Sequence, residues 1–133
     1  MCGIAGAFHF SGPVDPEPVE AMVDVLHHRG PDSRRVVSLA DGVLGASRLA
    51  IVDVDGGINP LADSRERCWI SLNGEVYNHR PLRTELKARG ARFATATDTE
   101  VAAWLTSESL ESGLHRLNGM FAFALWDGRN RSL

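Results

Sequence analysis

The sequence predicts an α+β domain, and three observations carry that prediction. Two short apolar runs, Val36–Leu39 and Val43–Ser47, are joined by the turn residues Ala40-Asp41-Gly42, as in a strand pair. Two helix-period stretches open on recognisable start signals, Asp15-Pro16 and Thr97-Asp98-Thr99-Glu100. Near the end, Met120–Trp126 forms the densest apolar run of the chain and reads as a strand buried on both faces.

Taken in order, Gly3–Phe10 is expected to be a short buried strand, closed by Ser11-Gly12-Pro13. Asp15 is placed as the N-cap of a helix with Pro16 at its first position, where a missing N–H costs nothing. Val19, Met22, Val23 and Leu26 recur at helical spacing and predict its buried face, ending near His27. Gly30-Pro31 stops any continuation. After the strand pair, Arg48–Asp53 reads as a strand-like apolar stretch carrying one arginine, followed by a loop through Asp55-Gly56-Gly57 and Asn59-Pro60. Trp69–Leu72 is a strand, expected to stop at the tight turn Asn73-Gly74. Pro81–Arg89 is an amphipathic helix with Leu82 and Leu86 at i, i+4 and Gly90 just past its end. A helix from Thr99 towards Glu108 buries Val101, Trp104 and Leu105, and a shorter one covers Leu110–Leu117. Asp127-Gly128-Arg129-Asn130 turns the chain back after the last strand.

Composition narrows the function classes. The 133 residues make one domain, and a 44% hydrophobic, 23% charged composition is ordinary for a soluble globular protein. A net charge of −3 gives no reason to expect a nucleic-acid partner. Two cysteines, Cys2 and Cys68, make no disulfide framework, and the Cys/His spacing of a zinc site is missing, so no metal is expected. Cys68, beside Trp69 and Ile70, reads as a strand-associated filler. The chain opens without the basic n-region of a signal peptide and contains no apolar run near ~20 residues, so neither export nor a membrane span is expected and cytoplasm is the default.

Chemistry enters at Met1-Cys2-Gly3-Ile4. Removal of the initiator leaves Cys2 with a thiol and a free α-amine on one residue. The thiol is a strong nucleophile near neutrality and the amine, with a pKa near ~8, is a base within reach. Taken alone, Cys2 reads first as a small apolar residue at the start of the chain.

Four further places carry polar groups that packing does not call for. Arg48 in an apolar stretch needs a carboxylate, either a ligand's or that of a local acid such as Asp53. The amide of Asn73 and the backbone N–H of Gly74 are donors suited to a developing oxyanion, although Asn-Gly is also an ordinary hairpin turn. Glu75 and Asp98 are acids near element ends, suited to grip an ammonium, with helix capping as a second role for Asp98. For His28 and Arg29, on a Gly-Pro loop, a structural role is expected.

Six segments together resemble the class II (N-terminal nucleophile) glutamine amidotransferases: Met1–Gly6, His28–Asp32, Arg48–Asp53, Asn73–Asn78, Thr97–Glu100 and Leu117–Ala124. They occur in order along the whole chain. His-Arg-Gly-Pro-Asp, Arg-Leu-Ala-Ile-Val-Asp and Asn-Gly-Glu-Val-Tyr-Asn look like the asparagine synthetase branch.

The resemblance implies an Ntn-hydrolase-type fold of two antiparallel sheets layered with helices, residues 1–133 being the amidotransferase domain. Its strands would continue past Leu133, leaving Met120–Trp126 short of a partner, and an open edge leaves homodimer formation as one outcome. The roles implied are Cys2 as nucleophile, with Asn73 and the Gly74 N–H at the oxyanion. Arg48 would bind the α-carboxylate of L-glutamine, Asp98 and Glu75 its α-ammonium, and the main chain of Leu49, Ile51 and Val52 would line the pocket. ATP and magnesium are implied only for a synthetase domain that uses the ammonia to amidate aspartate. No cofactor is expected in this segment, because Asp55-Gly56-Gly57 lacks the lysine and helix of a P-loop. Two other readings stay open: an acceptor carboxylate other than aspartate, and a non-catalytic glutamine-binding or interaction module.

Overall fold

The computed structural model of the protein describes residues 1–9 and 11–133; Phe10, the expected end of the first strand, lies outside the described residues. The strands are β1 (Gly3–Phe8), β2 (Ser33–Leu39), β3 (Gly42–Arg48), β4 (Leu61–Ala62), β5 (Cys68–Val76) and β6 (Gly119–Asp127). The α-helices are α1 (Glu17–Val25), α2 (His79–Ala88), α3 (Asp98–Glu108) and α4 (Leu110–Arg116), with a 3₁₀ turn at Leu26–Arg29 after α1. The class is α+β: two three-stranded antiparallel sheets, in the orders β1-β3-β2 and β4-β5-β6.

Side-chain alternation sets the layers, because successive residues of a strand face opposite sides. In the first sheet, Val43 and half-buried Ala5, Ala7 and Val36 pack against Val19 and Val23 of α1. In the second sheet, Ile70, Leu72 and Val76 of β5 pack with Ala102 and Ala103 of α3, joined by Phe121, Phe123 and Leu125 of β6. The other faces of the sheets meet: Ser71 Oγ donates to the Gly45 carbonyl at 3.2 Å, and Trp126 stacks on Phe8 at 5.1 Å. The result is helix, sheet, sheet, helices. Leu82 and Leu86 tie α2 to Val101, Trp104 and Leu105 of α3.

Three expectations are corrected. Met22 is 47% exposed, because α1 needs only the i, i+4 pair Val19 and Val23 to cover its sheet. Asn73-Gly74 does not end a strand: β5 runs through it to Val76, with Asn73 opposite Ala122 and Gly74 opposite Phe121. Gly74 has φ +134° and its missing side chain lets the Met120 carbonyl approach, so the glycine serves close strand contact rather than a turn. β6 is not buried on both faces; Met120 is 62% exposed and Ala122 is exposed. It is an edge of its sheet, so one flank of its backbone has no strand neighbour among the described residues.

Helix starts follow the sequence more closely. Asp15 Oδ1 accepts from the Glu17 N–H at 3.0 Å, and Thr97 caps α3 by accepting from the Glu100 N–H at 3.2 Å. Only half of the expected capping box forms. The Glu100 carboxylate turns outward from the helix to the N–H groups of Ala94 and Thr95, both at 2.8 Å. Among the described residues no helix is long and apolar enough to cross a membrane.

Candidate active site

Arg48 is the last residue of β3 and is 6% exposed. Beyond it the chain leaves the sheet, so Arg48–Asp53 is not strand-like as expected but a loop curled about the guanidinium. Arg48 Nη2 donates to the carbonyls of Val52 at 2.9 Å and Asp53 at 2.7 Å. Gly57 packs where a Cβ would collide with that guanidinium. The expected alternative, an ion pair with the Asp53 carboxylate, does not form. That carboxylate accepts instead from the N–H groups of Gly56 at 3.2 Å and Ala96 at 2.7 Å. Nε and Nη1 of Arg48 have no hydrogen-bond partner among the described residues, and a ligand carboxylate could accept from Nη1.

Cys2 stands directly before the Gly3–Ser47 pair of the first sheet, which sets it beside Arg48 and Leu49. Its half-buried Sγ lies 3.4 Å from the Leu49 nitrogen and 3.8 Å from the Leu49 carbonyl. The same loop is held from its other side by Asp32, whose N–H donates to the Arg48 carbonyl and whose Oδ2 accepts from the Ala50 N–H. The Gly-Pro loop is structural in this sense, and the ring of His28 is itself occupied by the Val25 carbonyl.

On β5, the alternation that turns Ser71 towards the first sheet turns Asn73 and Glu75 the same way. Asn73 Oδ1 is buried without a partner. The carboxylate of Glu75 makes no hydrogen bond among the described residues. Asp98 opens α3; its Oδ2 accepts from the Val76 N–H at 2.8 Å and its Oδ1 from the Thr99 N–H at 2.9 Å. Capping of α3 falls to Thr97, which leaves Asp98 to join the helix to the end of β5. Nearby, burial lowers the pKa of His79 against the pull of Asp98, and its buried Nδ1 is unpaired.

One pocket gathers most of these groups. It is lined by Arg48, Leu49, Ile51 and Val52 of the loop, Gly74 and Glu75 of β5, and Asp98 of α3, with Asn59, Thr97 and Thr99 completing it. Cys2 and Asn73 are not part of that lining; Cys2 reaches it through its contact with Leu49, and Asn73 through its neighbour Gly74. Of three larger grooves, one beside Arg35 and Trp69 and one along β6 are lined by no expected site residue, while the third, between Asp32, Ala50 and Asp55, shares Arg48 with this pocket.

Sequence reasoning missed Asn59. Its Nδ2 donates to the Leu72 carbonyl at 2.7 Å and its Oδ1 accepts from the Leu72 N–H at 3.1 Å, so a side chain takes a strand's place beside β5 just before Asn73. Nothing in Asn59-Pro60 but its loop composition pointed there. At Asp55-Gly56-Gly57, the Gly56 and Gly57 N–H groups are taken by the Asp53 side chain and carbonyl.

Comparison with known proteins agrees with this architecture. A family model described as a glutamine amidotransferase domain matches residues 1–133. The chain is similar to asparagine synthetase (glutamine-hydrolyzing) 3 of Bacillus subtilis (strain 168), 39% identical over 137 residues, covering 100% of this chain and 22% of that protein. Asparagine synthetase B (glutamine-hydrolyzing) of Escherichia coli (strain K12) is 37% identical over 133 residues, covering 96% of the chain and 23% of that protein. The asparagine synthetase (glutamine-hydrolyzing) of Sandersonia aurantiaca is 39% identical over 134 residues, covering 99% and 25%. The chain thus spans a quarter or less of the length of these relatives. By its match over residues 1–133, the chain belongs to the glutamine amidotransferase domain family.

Proposed function

We propose that this chain hydrolyses the side-chain amide of L-glutamine with the Cys2 thiol, as the ammonia-releasing part of a glutamine-hydrolysing asparagine synthetase. Amidation of aspartate, with its ATP and magnesium, belongs to a region outside residues 1–133. One observation carries the reading: a single pocket is lined by a buried arginine together with two carboxylates, Glu75 and Asp98. A free amino acid carries the opposite pair of charges.

In this reading Met1 is removed, and the freed Cys2 amine takes the thiol proton, through a water. Sγ attacks the amide carbon, forming the C–S bond while the carbonyl oxygen becomes an oxyanion held by Asn73 Nδ2 and the Gly74 N–H. The amine returns its proton to the amide nitrogen, the C–N bond breaks, and ammonia departs. Water then attacks the thioester with the same amine as base, releasing glutamate and restoring the thiol. The hydrogen bond from the Leu49 N–H to Cys2 Sγ keeps the sulfur against the loop that also carries Arg48. Homologues named as glutamine-hydrolysing enzymes support the substrate, and the asparagine synthetase names support aspartate as acceptor.

The test is glutamate release from L-glutamine by the purified chain, with Cys2→Ala alongside. A loss of at least ~100-fold is expected. Undiminished turnover in Cys2→Ala rejects the thiol as nucleophile. Glutamine binding without any hydrolysis, by protein shown by mass to begin at Cys2, selects the non-catalytic module instead.

A further inference from the structure

We infer that Asp53 is a positioning residue that sets the distance between the carboxylate-binding and ammonium-binding ends of the pocket, an inference that rests on the glutamine reading above. Its backbone and side chain serve different ends. The Asp53 carbonyl accepts from Arg48 Nη2 at 2.7 Å and from the Gly57 N–H at 2.9 Å. Its carboxylate crosses to the far segment, where Oδ2 accepts from the Ala96 N–H at 2.7 Å, while Oδ1 accepts from Gly56 at 3.2 Å.

Ala96 lies one residue before the α3 cap Thr97 and two before Asp98. The segment around it is gripped from the other side by Arg83, which donates to the carbonyls of Thr95 at 2.7 Å and Thr97 at 2.5 Å. Arg83 in turn lies 4.2 Å over the Phe93 ring. Arg83 therefore anchors 95–97 to α2, and Asp53 anchors it to the loop around Arg48. Among the described residues no other side-chain hydrogen bond spans those two segments. Asp53 holds φ +54°, a left-handed conformation that a non-glycine residue keeps only where its surroundings dictate it. A four-fold set of bonds does so here. The Oδ2 contact reaches the ammonium end, while Oδ1 braces only Gly56 within the loop and Arg48 itself is held by main-chain carbonyls, so removal of the side chain should disturb the ammonium end far more than the carboxylate end.

That asymmetry provides the test. L-glutamine hydrolysis is measured for the parent chain, Asp53→Ala and Asp53→Asn, with glutaramate (glutamine without its α-amino group) as competitive inhibitor. Asp53→Ala is expected to raise KM for L-glutamine about tenfold with kcat changed less than about twofold. The inhibition constant of glutaramate, which has no ammonium to misplace, should move less than about twofold. Asp53→Asn tolerates the left-handed backbone and keeps one acceptor, so it should fold and show the same split at smaller amplitude. If Asp53→Ala does not fold, Asp53→Asn decides the matter alone. Equal weakening of both ligands, or weakening of neither, overturns the inference while leaving glutamine hydrolysis standing. A parent chain that neither binds nor hydrolyses glutamine removes the reading beneath it.

Discussion

Arg48 Nη2 lies 2.7 Å from the main-chain oxygen of Asp53, not from its carboxylate. Nη2 thus shapes the pocket's own loop, while Nε and Nη1 have no partner among the described residues. The arginine is a wall of the pocket and, in the proposed reading, also its carboxylate-binding group. A planar cation with donors on two sides can do this, and a single ammonium cannot.

Arg48→Lys is accordingly expected to fail despite keeping the charge. KM for L-glutamine should rise about 10- to 100-fold, with kcat at saturation much less affected, as steady-state kinetics would show. A lysine variant with the parent's KM would show that charge alone suffices at this end.

Asn59→Ala should weaken the whole domain. It strips two hydrogen bonds from the buried Leu72 backbone and leaves a C=O and an N–H unpaired. At about 1–3 kcal/mol for each unsatisfied group, a loss of about 2–6 kcal/mol is expected in urea unfolding. A midpoint matching the parent would mean that water or a backbone shift repairs the gap.

The two cysteines should separate cleanly in alkylation. Burial, with the Asp127 charge adding to it, pushes the Cys68 thiol up to about 11. At pH 8 only about one part in a thousand is thiolate, and the side chain is fully buried. Iodoacetamide followed by peptide mapping should modify Cys2 and spare Cys68 in the folded protein. The same shift gives a sign for stability: a thiol pKa raised by folding stabilises below the ordinary value of 9.0, and that contribution fades as pH climbs towards 11.

Acid should loosen the turn after β6. Hydrogen bonds from Arg129 hold the Asp127 carboxyl down at about 2, from an ordinary 3.8, with the Arg129 backbone N–H and Asn130 adding to the set. A pKa depressed by folding stabilises above the ordinary value, so its contribution is lost as pH falls from about 4 to about 2. Thermal melts across that window should show a steeper loss for the parent than for Asp127→Asn. Parallel curves would assign the acid sensitivity to other carboxylates.

Much of the fold could be read from local pattern. Val19 and Val23, Leu82 and Leu86, and the Thr97 cap are short-range devices, and each forms where its spacing says it should. Asn73-Gly74 defeated the same approach. A glycine at positive φ serves a hairpin turn or a close strand approach equally well, and only the position of Met120 on the neighbouring strand distinguishes them. The face of Met120–Trp126 was misread for a related reason: alternating large and small apolar residues describe a strand, while its exposure depends on what lies beyond the edge.

The identities of Cys2, Arg48, Glu75 and Asp98, and their membership in one family's segments, are properties of the chain written as a line of residues. Tertiary structure alone decided which of them share a pocket, that Asn59 completes it, and that Asp53 bonds with its carbonyl to one side and its carboxylate to the other. The reason is separation along the chain. Contacts between positions as far apart as Asp53 and Ala96 depend on how two sheets stack, and no local periodicity records that.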